Sequence, residues 1–124
     1  MFVDQVDAKR VIIGDAEVEF RQDIKKVLEL NDLVVILLRK GKLDESGSFY
    51  SRNILAYDGK GEPVWRVEDA GISVRNREGN YIPQPYLSLW TGKDGKSLHA
   101  GLGGIEVEID PSNGMLVKME EHRW

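Results

Sequence analysis

The chain has 124 residues, with 17 Lys and Arg against 21 Asp and Glu, 13 Gly and no Cys. That length predicts one domain, residues 1–124, burying roughly two-thirds of the surface the unfolded chain exposes. The lack of Cys excludes disulfides and thiolate metal sites, and a net charge of −4 disfavours phosphate backbones as ligands.

Taken in chain order, the opening Met1 to Arg10 carries acids where a secretion signal needs a basic flank and an apolar run. A cytoplasmic location is therefore expected. Val11 to Ile13 and Val18 to Phe20 read as edge or half-buried strands. In Gln22 to Leu30, Ile24, Val27 and Leu28 fall at helical spacing before Asn31-Asp32. A short helix or an extended connection fits there. Leu33 to Leu38 is continuous and β-branched, as expected of a strand covered on both faces. It is also the longest apolar run, far below the ~18 residues of a membrane-spanning helix.

Arg39 to Arg52 follows as a polar loop, then strands at Asn53 to Tyr57 and Val64 to Val67. Glu68 to Gln84 reads as a second long loop. Strands resume at Tyr86 to Thr91, Ser97 to Ala100, Ile105 to Ile109 and Met115 to Met119. Ile105-Glu-Val-Glu-Ile109 alternates strictly, which predicts one dry and one solvated face.

Two segments resemble one another, about 33–68 and 86–120. In each, a strand ends in an apolar residue and Asp (Tyr57-Asp58, Ile109-Asp110), and a Gly-containing turn leads to a further strand. The turn with Gly114 is one residue longer than that with Gly61. Asp accepts hydrogen bonds from backbone N–H groups just ahead of it, and Gly takes the positive φ that returns the chain. These are hairpin signatures.

The spelling Tyr57-Asp-Gly-Lys-Gly-Glu-Pro-Val-Trp65 resembles the outer hairpin of quinoprotein-type β-propeller blades, and Ile109 to Val117 resembles a second occurrence lacking the Trp. Two such units cannot close a propeller, which takes about four to eight. The chain is also similar, over about residues 17–119, to small bacterial proteins of mostly uncharacterised role. Some of these sit beside toxins as immunity proteins. The resemblance implies a small β protein that binds another protein.

Candidate chemistry is sparse. His99 and His122 could act as acid and base, but nothing in the sequence brings them together. The run Gly101-Leu-Gly-Gly104 precedes a strand rather than a helix, so it is no phosphate loop. Asp110 opens a stretch with Glu121 at the twelfth place of a calcium loop, yet Met115 stands where that loop needs Gly. Trp65 and Trp90, interleaved with Arg52, Arg66, Arg75 and Arg77, could stack on single strands. Net charge argues against this, and large aromatics in alternating strands usually pack inward.

The acidic loops remain. Asp44, Glu45, Phe49, Tyr50, Glu68 and Asp69 are the expected partner-binding residues, carboxylates beside aromatics that suit a basic protein surface. The expected fold is mainly β, an antiparallel hairpin-rich sheet, sandwich or open barrel with about eight strands and at most one short helix. The expected role is a non-catalytic immunity protein occluding a toxin's active site, with no cofactor, no metal and no membrane. The alternative is a small nucleic-acid-directed hydrolase or RNA-binding β domain.

Overall fold

The computed structural model describes residues 3–39, 51–75, 77–79 and 81–121. Among the described residues there are thirteen strands, more than the eight or so expected. In order they are β1 (Val3–Asp7), β2 (Arg10–Ile13), β3 (Ala16–Glu19), β4 (Ile24–Leu30), β5 (Leu33–Leu38), β6 (Ile54–Tyr57), β7 (Pro63–Arg66), β8 (Ser73–Arg75), β9 (Tyr81–Pro83), β10 (Ser88–Thr91), β11 (Leu98–Leu102), β12 (Ile105–Ile109) and β13 (Leu116–Glu121). Every pairing is antiparallel and joins strands consecutive in the chain. They form a three-stranded sheet (β1–β3), two four-stranded meanders (β4–β7 and β10–β13) and a small hairpin (β8–β9). Among the described residues no sheet closes into a barrel.

The main sheets stack face to face, with β4–β7 in the middle. On one side Val34, Ile36, Leu38 and Tyr57 pack against Val11, Ile13 and Phe20. On the other, Val35, Leu37, Ile54 and Ala56 pack against Leu89, Leu98, Ala100, Val107 and Ile109. The unbroken apolar run of β5 thus serves two cores at once, alternate side chains entering each. Val34, Val35 and Ile36 are fully buried. At roughly 1.5–3 kcal/mol for each large side chain removed from water, this strand is the centre of the stability of the stack.

Gln22 to Leu30 is not helical. Asn31 adopts φ 55° and, with Asp32, turns the chain so that Leu30 faces Leu33. Asn tolerates this left-handed conformation better than most residues. The helix-like spacing has a separate cause. The β4–β5 register shifts between Ile24 and Lys26, and this bulge leaves Ile24 and Val27 in one core and Leu28 and Leu30 in the other.

The Glu68 to Gln84 region, read as a loop, contains the β8–β9 hairpin. The Arg39 to Arg52 loop lies mostly outside the described residues. Leu33–Leu38 is the second strand of its meander, whereas Tyr86 to Thr91 supplies the first strand of the other, so the lead strands matched in the sequence are not equivalent.

The Asp-led hairpins do correspond. Tyr57 faces Pro63 and Ala56 faces Trp65, with Val64 bulged out. Ile109 faces Leu116 and Glu108 faces Lys118, with Val117 bulged out. Asp58 accepts the N–H groups of Lys60 and Glu62, and Asp110 accepts that of Ser112. Gly61 and Gly114 hold φ 81° and 77°, the left-handed region that the turns require.

Candidate functional site

The outer face of β10–β13 is built by cross-strand register. Trp90 faces His99, His99 faces Glu108, and Glu108 faces Lys118, one row across four strands. Beside it, Ser88, Gly101, Glu106 and Glu120 form the next row. The alternation of Ile105 to Ile109 explains the placement: Val107 and Ile109 enter the core, so Glu106 and Glu108 must face outward. His99, Glu106, Glu108, Lys118 and Glu120 line one open depression on this face.

Trp90 is not a core residue. Its ring is half-buried and stacks on His99, with centroids 5.8 Å apart and planes 12° from parallel. The Ser97 hydroxyl donates to Asp94 Oδ1 at 3.0 Å, and His99 Nε2 lies 3.0 Å from the same hydroxyl oxygen. With the serine proton committed to Asp94, His99 Nε2 is the donor in that second contact. A nucleophilic serine needs the opposite polarity, its proton directed at histidine.

Lys118 sits among carboxylates. Its ammonium donates to Glu120, 2.7 Å away, and this bond raises its pKa, helped by the charges of Glu120, Glu108 and Glu106. Asp94 is held below its ordinary 3.8 by the backbone N–H groups of Lys96 and Ser97, then by the Ser97 hydroxyl.

The opposite outer surface, on β1–β3, carries the same sign. Asp4, Ile12 and Glu17 form one outward row, and Asp7, Arg10 and Glu19 the next. Arg10 bridges Asp7 at 2.6 Å and Glu17 at 3.1 Å. Both exposed ends of the stack therefore hold more carboxylates than bases.

Of the residues expected to bind a partner, Asp44, Glu45, Phe49 and Tyr50 lie outside the described residues, as does His122. Glu68 and Asp69 are described, and both make internal bonds. Glu68 Oε1 accepts the Leu116 N–H, and Asp69 accepts the Ser51 hydroxyl and the Gly71 N–H. Glu68 fastens the chain leaving β7 to the last strand of the other meander, and Asp69 ties the same stretch to Ser51, just ahead of β6. Among the described residues no cluster of His, Asp or Glu is arranged to hold a metal ion. Gly103 and Gly104, both at positive φ, form the two-residue turn between β11 and β12.

The acidic outer face was only half visible in sequence. The strict alternation of β12 marks its solvated side. That Trp90, His99 and Lys118 join Glu108 depends on the register of four strands and on the bulge at Val117.

The model of one family covers nearly the whole of this chain. The chain belongs to the family described as a domain of unknown function, DUF7957, whose match spans residues 1–121. No curated protein matches it, and no solved structure does. The DUF7957 match covers all the main sheets, so both acidic faces fall within the family's domain. No helix among the described residues is long and apolar enough to cross a membrane.

Proposed function

We propose that this DUF7957 domain is a non-catalytic protein-binding module of the cytoplasm, an immunity protein that covers the active site of a basic toxin. The observation that carries the reading is the outer face of β10–β13. There Glu106, Glu108 and Glu120 surround Lys118 and His99 in one open depression. A carboxylate-rich face with a partly exposed Trp at its edge matches a basic surface in sign and speeds encounter through complementary fields. The outer face of β1–β3 adds a second acidic surface, and Asp44 and Glu45 add further carboxylates to the sequence.

The test is co-expression with the product of the neighbouring reading frame. A stable complex and rescue of growth are expected. Replacing Glu106, Glu108 and Glu120 together by Lys is expected to abolish both, while far-UV circular dichroism stays that of the parent. Absence of complex and rescue with the parent chain rejects the reading.

His99 opposite Glu108 on adjacent strands favours one rival, a small nucleic-acid-directed hydrolase. Turnover of RNA by the purified chain, lost in a folded His99→Ala variant, would replace the binding reading with that one.

A further inference from the structure

Among the described residues the last strand, β13, stands at the edge of its sheet with no strand beyond it. Such edges invite pairing, and proteins usually blunt them with like charge, proline or coverage. The described edges of this molecule differ in how they meet that need. On β3, self-pairing about Val18 would set Glu17 against Glu19, acid on acid. Strand β7 begins with Pro63, which has no N–H to give. The edges of β4 and β10 lie beside one another, where Lys25 and Lys26 donate to the carbonyls of Leu87 and Leu89 at 2.5 and 2.6 Å. On β1, pairing about Gln5 matches no charges.

β13 is spelled differently. Around Met119 its sequence reads Val117-Lys-Met-Glu-Glu121. An antiparallel copy centred on Met119 places Lys118 opposite Glu120 twice, once on each side of the axis. Lys118 and Glu120 stand on the same outer face, opposite Glu108 and Glu106 of β12. Met119 lies opposite Val107 on the core side and is still 44% exposed, and Val117 is 58% exposed. Met119, the apolar group that would meet its copy at the axis, is thus partly uncovered in the single chain, while Val117 would fall opposite Glu121 of the copy.

We propose that β13 pairs with β13 of a second copy about a two-fold axis through Met119, joining two four-stranded sheets into one continuous sheet. Opposite charges directly across antiparallel strands contribute roughly 0.2–1 kcal/mol per pair, and like charges cost similar amounts. The Lys118–Glu120 contact within one chain becomes a four-residue network across the axis, and the two Met119 side chains pack against each other. The interface is isologous and closes at two copies. It extends the acidic outer face without covering it, and it stands independently of the toxin reading.

The experiment is sedimentation of the purified full chain, without any partner, over a concentration series reaching about 1 mM. Dimerisation is expected for the parent. Lys118→Glu and Glu120→Lys should each weaken it at least about tenfold, since each sets like charges together on both sides of the axis. Mixed together, those two variants should form a heterodimer, and the double exchange K118E/E120K should dimerise again. Met119→Lys, which sets two ammonium groups at the axis, should be monomeric. All are surface changes, and circular dichroism checks that each variant is folded. A parent that stays monomeric throughout overturns the proposal. So does a dimer insensitive to both charge reversals, or a mixture that associates no better than its components.

Discussion

In the sheet of β4–β7, Leu28, Val35, Ala56 and Trp65 cross the four strands as one row. In the sheet of β10–β13 the row in the same place, counted from the bulged hairpin, reads Trp90, His99, Glu108 and Lys118. The first row lies beneath the second sheet and belongs to its core. The second faces water. Two meanders with the same strand order and the same final bulge therefore differ in what their far face meets. The difference resides in a few side chains: an Ala and a Trp in the middle sheet, a Glu and a Lys in the outer one. Antiparallel ladders of the same strand order permit either fate, and burial decides which residues the far face can carry.

Exchanging one member of the two rows should have the largest effect. Ala56→Glu gives the middle sheet the carboxylate of its counterpart Glu108, in a position that is fully buried. A buried unpaired charge costs several kcal/mol, here more than about 4, so the variant should be unfolded in urea titrations at ambient temperature. Glu108→Ala, the reverse exchange, should stay within about 0.5 kcal/mol of the parent, as surface changes do. Near-equal effects of the two changes would remove the distinction between the sheets.

The next effect concerns the polar clamp between the meanders. Asn53 is 3% exposed. Its amide donates to the carbonyls of Leu38 and Tyr86 at 2.8 and 2.9 Å and accepts the Tyr86 N–H at 2.8 Å. Asn53→Ala leaves three buried backbone groups without these bonds. With about 1–3 kcal/mol for an unsatisfied buried group, a loss of about 3 kcal/mol is expected in chemical denaturation. Asn53→Asp keeps the acceptor toward Tyr86 N–H and loses both donors, so it should not rescue.

The sequence shows why part of this was legible and part was not. β5 announces its two-sided burial because Leu33 to Leu38 has no polar break, and burial on both faces demands that. The Asp58 and Asp110 hairpins are equally plain, since only a few residues satisfy an acceptor-led turn with a positive φ. β4 is hidden because a bulge resets the side-chain alternation after Ile24, and three residues then mimic a helix face. Asn53 looks like an ordinary strand residue, since its partner segment is far along the chain. The candidate site is hidden for a related reason. Glu106 and Glu108 declare a wet face, but Trp90, His99 and Lys118 reach it only through pairings that a linear pattern does not contain.

A smaller effect probes where one meander docks on the other. Trp65 Nε1 donates to the Pro111 carbonyl at 2.8 Å, and a Cβ built on Gly114 would stand 2.6 Å from Trp65 Cε3. Gly114→Ala combines that clash with φ 77° and should cost about 2 kcal/mol. Trp65→Phe, which loses the hydrogen bond and exchanges the indole for a smaller aromatic ring, should cost about 1 kcal/mol. If Gly114→Ala were the milder of the two, the turn would not be seated on Trp65.

Acidification gives the gentlest separation of the two sheets. Asp58 serves the β6–β7 turn, whereas Asp94 and Asp110 serve the β10–β11 and β12–β13 turns. Asp58 is held below 3.8 by the N–H groups of Glu62 and Lys60, Asp94 by those of Lys96 and Ser97, and Asp110 by Ser112. A carboxylate whose folded pKa is lowered stabilises the fold at neutral pH and loses that contribution as pH falls through the folded value. The window therefore opens below 3.8, and the outer meander, with two such turns against one, meets it with more to lose. Amide exchange followed by nuclear magnetic resonance down the pH scale should show protection failing first around Ser97 and Ser112, and later around Lys60. Loss beginning instead at the Lys60 turn would mean that the middle sheet, although covered on both faces, is the weaker of the two in acid.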